Sequence, residues 1–148
     1  MTVLISGKKR VTGLSRQRIR KQAAAILDHL CSADAELSIL FVDDEEMSRI
    51  NEEYRHKEGP TDVIAFAMGE GEFGNISNNI LGDVVISIDT ARRQACERKV
   101  DIMNEVRVLL IHGILHLHGY DHEKSEAQRH IMEGKERELL KALEKNNL

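Results

Sequence analysis

Residues 112–122 read H-G-I-L-H-L-H-G-Y-D-H and close a long apolar segment that begins after Asp101. Asp101 is a suitable N-cap, and the segment from 102 to 118 predicts a helix with apolar side chains on nearly every side. Such a helix lies inside a protein. His112 and His116 are four residues apart in it, so their side chains lie about 6 Å apart on one face. The sequence therefore predicts a buried helix that carries two neighbouring imidazoles.

A third histidine can join this pair only if the helix ends between them. His118 lies two residues past His116, which turns it to the opposite side of the helix and excludes it as a partner. Gly119 can adopt a positive φ, end the helix and bring His122 back over the pair. Three histidines leave the fourth position of a tetrahedral zinc site open to water, as in catalytic sites. The sequence predicts one zinc ion per chain, bound by His112, His116 and His122.

Gly113 separates this pattern from the zinc peptidases. Their spacing, H-x-x-x-H-x-x-G-x-x-H, is present, but in peptidases a glutamate follows the first histidine and acts as the general base. Here Gly113 stands in that position. The substitution disfavours a peptidase and leaves space for another part of the chain or for a bulky substrate.

The rest of the chain alternates short strands and helices, with a final third that is purely helical. We predict an α+β fold in which a small mixed sheet of about four strands packs with helices around the buried helix. The chain is expected to form one domain, 1–148, because no repeat or linker divides it. The predicted strands are 2–5, 37–42, 62–67 and 83–88. Ser15 is predicted to cap a helix that runs to about 31, and Asp43 or Asp44 to cap a helix that runs to about 54. Two further helices are predicted from 89 to about 99 and from 125 to about 146. The Gly- and Asn-rich stretch 69–82 is predicted to be a mobile loop.

Composition and charge narrow the class of protein. No stretch of 18 consecutive apolar residues and no leader-like segment is present, so we expect a cytoplasmic protein that does not enter a membrane. Cys31 and Cys96 lack any paired spacing and are expected to be reduced. Residues 1–27 hold seven lysines and arginines and no acid, whereas the remainder holds 14 bases and 25 acids. This basic segment can attract a polyanion or can be a solvated helix face.

Three motifs, in this order, resemble those of the YbeY family, small bacterial metal-dependent endoribonucleases with a zincin-like fold. The motifs are Tyr54-Arg55 with Pro60-Thr61-Asp62-Val63, then Leu81-Gly82-Asp83-Val84, then the run from His112 to His122. The resemblance implies a zincin-like domain, zinc binding by the three histidines and cleavage of single-stranded RNA. It also implies ribosomal RNA and the small ribosomal subunit as partners, with no DNA. The implied roles are 3′-end maturation of small-subunit RNA and ribosome quality control.

Arg55 is the catalytic residue that the resemblance implies. A three-histidine zinc lowers the pKa of its water to about 7, which partly replaces the missing glutamate. Phosphodiester cleavage also needs a cation for the charge that develops on phosphate, and the planar fork of an arginine suits this task. Asp121 could orient a ligand imidazole or act as a weak base, or it could be a turn carboxylate that caps the next helix.

Two other functions remain open from the sequence. One is a ribosome-assembly factor that binds RNA through its basic N-terminal face and holds a structural zinc. The other is a metallopeptidase-like amide hydrolase, which Gly113 disfavours. Cleavage of RNA that stops when a chelator is added separates the enzyme from the assembly factor.

Overall fold

The computed structural model describes residues 2–8, 10–68, 79–121 and 123–148. Within them there are four strands and five helices. Three strands and two helices alternate first, a fourth strand follows directly, and three helices complete the order. The strands are β1 (Thr2–Gly7), β2 (Glu36–Val42), β3 (Val63–Ala67) and β4 (Ile80–Ser87). The helices are α1 (Arg16–His29), α2 (Asp44–Arg55), α3 (Ile88–Arg98), α4 (Ile102–Leu117) and α5 (Glu126–Lys145).

The sheet is mixed, with the strand order β1-β2-β4-β3. β1, β2 and β4 run parallel to one another, whereas β3 pairs antiparallel with β4 and forms one edge. This arrangement confirms the predicted α+β fold with a mixed sheet of four strands. None of the helices in the described residues is long and apolar enough to cross a membrane.

The start of β4 corrects the sequence prediction. The strand begins at Ile80 rather than at Asp83, so the end of the predicted loop 69–82 is part of the sheet. Glu36 pairs with Ile80 and Leu37 with Gly82, which leaves Leu81 as an extra residue in a bulge. Gly82 has a φ of +146°, and a Cβ there would lie 2.2 Å from the carbonyl oxygen of Phe66. A glycine in this bulge therefore lets β3 approach. The part of the predicted loop from 69 to 78 lies outside the described residues.

Side-chain caps fix the helix starts as predicted. The side chains of four residues, Ser15, Asp43, Asp101 and Ser125, each accept a hydrogen bond from the backbone N–H three residues further on. The predicted start of α3 at Asp89 was one residue late. Ser87, the last residue of β4, is the N-cap of this helix, and its hydroxyl accepts from the N–H of Thr90.

α4 is the buried helix around which the other elements pack. It lies against β3 and β4 and is flanked by α1, α3 and α5. Its side chains join those of the sheet and of α1 in the main apolar core. Glu105 is buried in its first turns, and both of its oxygens accept from Arg98 Nη1, at 3.0 and 3.2 Å. Burial raises the pKa of the Glu105 carboxyl, and Arg98 opposes that rise. This ion pair ties α4 to the end of α3.

Candidate metal centre and cleft

His112 and His116 aim their rings at one point. Their Nε2 atoms are 3.1 Å apart, and the ring centroids are separated by 4.6 Å with an angle of 71° between the planes. Both side chains are half-buried on a helix whose neighbouring residues are buried. The spacing of four residues on a rigid helix therefore produces a convergent pair of imidazoles, as the sequence predicts.

The separation of these nitrogens fits a shared metal ion. Two zinc–nitrogen bonds of about 2.0–2.1 Å at a tetrahedral angle place the nitrogens about 3.3 Å apart. The observed 3.1 Å is close to this value. The third predicted ligand, His122, lies outside the described residues, and among the residues that are described no group of three histidine, cysteine, aspartate or glutamate side chains is clustered for a metal. The three-histidine set remains a prediction.

Glu136 contacts His112, and this contact was not predicted from the sequence. Its Oε1 lies 3.3 Å from Nδ1 of His112. A carboxylate that accepts from Nδ1–H fixes the tautomer in which the lone pair of Nε2 serves as a metal ligand. A signal was present in the sequence, because Glu136 follows Met132 by four residues and precedes Leu139 by three. It is thus an acid on the buried stripe of α5.

Gly113 lets the histidine-bearing helix approach the sheet. A Cβ at this position would lie 2.7 Å from Cγ1 of Val84 and 3.3 Å from Cγ2 of Val63. Of the two uses of the space predicted from the sequence, close packing of another part of the chain is the one observed. α4 therefore presses against β3 and β4 directly beside His112.

The end of α4 depends on Gly119. Its φ is +91°, its N–H donates to the carbonyl of His116 at 3.0 Å, and the N–H of Tyr120 donates to Leu115 at 3.1 Å. These two bonds are the Schellman arrangement of a helix C-terminus. The helix therefore ends at Leu117 with His118 as its C-cap, close to the predicted end at 118, and the chain turns at Gly119.

His118 contacts a different part of the molecule. Its Nδ1 lies 2.8 Å from the carbonyl oxygen of Ile114, and its Nε2 lies 2.8 Å from Oγ of Ser32. A carbonyl oxygen only accepts, so in the neutral ring Nδ1 carries the proton and Nε2 accepts from the Ser32 hydroxyl. The ring therefore connects the end of α4 to the segment after α1.

A cleft of about 750 Å³ opens over His112 and His116, and we call it the histidine cleft. Its walls come from the end of α2, the segment 57–62, β3, α4 and residues 119–121, 123 and 124. Arg55, the last residue of α2, lines it together with both histidines. The structure thus brings the predicted catalytic arginine to the two predicted metal ligands from a distant part of the sequence.

The wall that carries Arg55 is held by Asn51. This side chain is buried, and its Nδ2 donates to the carbonyl of Gly59 at 2.9 Å. His56 follows Arg55 in the left-handed region, with a φ of 56°, and ends α2. The bond from Asn51 folds the segment after Arg55 back along the helix, so that this segment forms the rim of the cleft.

Charges of both signs line the histidine cleft. The cations are Arg55, Lys57 and Lys124, and the acids are Glu58, Asp62, Asp121 and Glu123. Oδ1 of Asp121 accepts from the backbone N–H of Glu123 at 2.8 Å. The N-cap of α5 is Ser125, so the prediction that Asp121 could cap this helix is wrong.

Three arginines of the basic N-terminal segment donate to backbone carbonyls. Arg16 Nη2 donates to the carbonyl of Lys8 at 2.7 Å. Arg20 Nε donates to Val3 at 3.4 Å, and Arg18 Nη2 to the terminal residue, Leu148, at 3.5 Å. These arginines attach α1 to β1 and to the C-terminus. Cys31 and Cys96 are both exposed free thiols, as expected.

Known proteins are similar to this chain in sequence and in fold. The family described as Endoribonuclease YbeY matches residues 5–144. Endoribonuclease YbeY of Geobacter metallireducens is 48% identical over 149 residues, which cover 100% of this chain and 99% of the relative. The protein of the same name from Aquifex aeolicus is 49% identical over 122 residues, covering 82% of this chain and 78% of the relative.

The fold also matches a solved structure. The solution structure of a protein from Thermotoga maritima superimposes with a TM-score of 0.67, covering 96% of this chain and 89% of that one, at 22% identity. This similarity concerns the fold alone, whereas the matches in sequence span nearly the whole chain at up to 49% identity. Together with the order of the motifs around Arg55 and His112, they show that the chain belongs to the YbeY family of endoribonucleases.

Proposed function

We propose that this chain is a zinc-dependent endoribonuclease that cuts single-stranded ribosomal RNA in the cytoplasm. Its proposed roles are maturation of the 3′ end of small-subunit RNA and ribosome quality control, with the small ribosomal subunit as partner. The observation that carries the proposal is the meeting of Arg55 with His112 and His116 in one cleft. A cation for phosphate and a convergent pair of imidazoles are the groups that metal-assisted phosphodiester cleavage requires.

His112 and His116 are the residues that would hold the zinc ion, with His122 as the proposed third ligand. Zinc supplies Lewis acidity toward a phosphoryl oxygen and lowers the pKa of a water to about 7. Glu136 keeps the proton of His112 on Nδ1 and holds the ring in place. The metal site therefore depends on α5 as well as on α4.

Arg55 is the proposed phosphate-binding residue. Its guanidinium can donate two parallel hydrogen bonds to phosphate oxygens, which a lysine cannot do. Arg55 and the two histidines line the same cleft from different elements, which supports a phosphate held by Arg55 on the side of the cleft that faces the histidines. The cleft volume of about 750 Å³ is within the range of pockets that take small ligands, so it can hold a nucleotide segment.

The decisive experiment incubates the purified zinc-loaded chain with a defined single strand that carries a 3′-extended end of small-subunit RNA. We expect cleavage that stops with chelator, returns with zinc and is absent in His116→Ala. A matched duplex should be cut more slowly.

Two results would contradict the proposal. Zinc bound by the histidines without any RNA cleavage, also on intact small subunits, would indicate a structural zinc in an assembly factor. Chelator-sensitive cutting of unfolded protein, with RNA left intact, would indicate an amide hydrolase.

A further inference from the structure

Tyr54 is an exposed aromatic side chain on the other side of β3 from the histidine cleft. It is 61% exposed. It is the penultimate residue of α2, and the next residue, Arg55, lines the cleft. A large apolar ring left in water next to a substrate site marks a position where a ligand can bury it.

Phe66 of β3 supports this ring from one side. The two ring centroids are 5.5 Å apart, and the planes are inclined at 74°. In an edge-to-face pair one ring presents its edge, so Phe66 covers at most one face of Tyr54. At least one face of Tyr54 therefore stays uncovered by Phe66.

Met68 extends the same surface. It is 51% exposed and follows Phe66 by two residues, and its N–H continues the ladder to the carbonyl of Leu81 at 3.1 Å. Alternate residues of a strand point to the same side, so Met68 and Phe66 share a face of β3. Ala65 and Ala67 are on the other face and line the cleft. The edge strand β3 thus separates the histidine cleft from the apolar surface of Tyr54, Phe66 and Met68.

We propose that Tyr54, supported by Phe66, is a stacking site for one unpaired base of the RNA whose phosphate Arg55 binds. Tyr54 and Arg55 are consecutive residues at the end of α2, and β3 is an edge strand, so a single strand whose phosphate lies at Arg55 can pass around this edge and place a flanking base on Tyr54. Every base has a π-face, and stacking on an aromatic side chain is tolerant of sequence. This inference rests on the proposed function and adds a reason for a preference for single strands, because a paired base is already stacked on its neighbours.

A fluorescence experiment tests the stacking directly. The chain contains no tryptophan, so Tyr54→Trp introduces a single reporter. Zinc-loaded Tyr54→Trp is mixed with a short single strand, and the binding phase that precedes cleavage is recorded. We expect a saturable change in emission with the single strand and a much smaller change with its duplex. An emission that is unchanged at saturating single strand would overturn the proposal.

Affinity measurements on the zinc-loaded chain give the second arm. Tyr54→Leu should weaken binding of the single strand about 5- to 150-fold, whereas Tyr54→Phe should stay within about twofold of wild type. Leu4→Ala is the control, since it removes an exposed apolar side chain from β1, at the opposite edge of the sheet. Equal affinities for Tyr54→Leu and wild type would refute stacking, and a protein that docks on this surface would then explain its exposure.

The two proposals fail in different ways. If wild type cuts RNA in a zinc-dependent manner but Tyr54→Leu has an unchanged KM, the stacking site is wrong and the endoribonuclease stands. If Tyr54→Leu loses affinity while wild type cuts no RNA, the base site stands and the proposed catalysis is wrong.

Discussion

Two polar clusters of this molecule differ in the chemical types of side chain that they bring together. In the Asp44 cluster, formed by Asp44, Ser87, Thr90 and Arg93, one carboxylate accepts from three donors. Ser87 and Thr90 donate to Oδ1 at 2.7 and 2.6 Å, and Arg93 donates to Oδ2 at 2.7 Å. In the histidine cleft, two groups of the same kind converge, with Nε2 atoms 3.1 Å apart. A carboxylate surrounded by hydrogen-bond donors stabilises a fold. Two imidazole nitrogens that converge on one position are suited to bind a metal cation between them.

The largest effect is expected from breaking the convergent pair. Loss of a residue that hydrogen-bonds a metal ligand lowers metal affinity roughly 10- to 100-fold. His112→Ala or His116→Ala removes a proposed ligand itself and should lower zinc affinity by more than that. His122→Ala should behave in the same way. Competition with a chromophoric chelator measures these affinities. His118→Ala is the control and should keep zinc, because its ring binds Ser32 and Ile114. Full zinc affinity in either variant of the pair would exclude this metal site.

The next effect concerns the cation that faces the pair. Arg55→Ala should reduce RNA cleavage by about 10²-fold or more, the scale of one lost transition-state donor, with zinc content and melting temperature unchanged. Arg55→Lys should recover only part of the rate, because an ammonium is a point charge without the bidentate fork. Single-turnover rates on a defined RNA measure both. A wild-type rate in Arg55→Ala would place the phosphate elsewhere.

A smaller effect is expected from the contact between His112 and Glu136. Glu136→Gln should weaken zinc binding by about 10-fold, because an amide is a weaker acceptor than a carboxylate for Nδ1–H of His112. Titration calorimetry with zinc measures this change. Glu133→Gln, one turn earlier on the exposed side of α5, is the matched control and should bind zinc as wild type does. Equal affinities in the two variants would show that Glu136 does not position His112.

The smallest effect is expected in the Asp44 cluster, and it concerns only the stability of the fold. Partial burial raises the pKa of Asp44, but hydrogen bonds from Arg93, Thr90 and Ser87 outweigh it and hold the pKa below 3.8. A carboxyl whose pKa is lower in the folded than in the unfolded protein stabilises the fold at pH values above its unfolded pKa. This stabilisation is lost as the pH falls through the folded pKa. Asp44→Asn should therefore cost about 1–2 kcal/mol at pH 7.

The pH dependence separates this electrostatic effect from a packing effect. The difference between wild type and Asp44→Asn should stay constant from neutral pH down to about 5 and close below about 4. Denaturant unfolding at several pH values measures it. A difference that persists at the lowest pH would mean that the variant loses packing and not the charge of Asp44. Zinc affinity should be the same in both proteins.

Much of the fold follows from local chemistry. Ser15, Asp101 and Asp43, the last with Asp44 as an alternative, were predicted as helix caps, because a cap needs only a short polar side chain three residues before an N–H. Gly119 was predicted for a similar reason, since its positive φ is a property of one residue. The start of β4 was missed because a bulge at Leu81 follows from pairing with β2.

By itself, the sequence determined the buried helix, the pair His112 and His116 on one face of it, and the turn that follows. These features depend on a period of 3.6 residues and on residues close together in the chain. Only the tertiary structure decided which groups face that pair. Arg55 reaches the cleft from α2, Glu136 reaches His112 from α5, and Gly113 makes room for Val84. Such contacts depend on how whole helices pack against the sheet, and a periodic pattern specifies which face is buried but not which distant residue it meets.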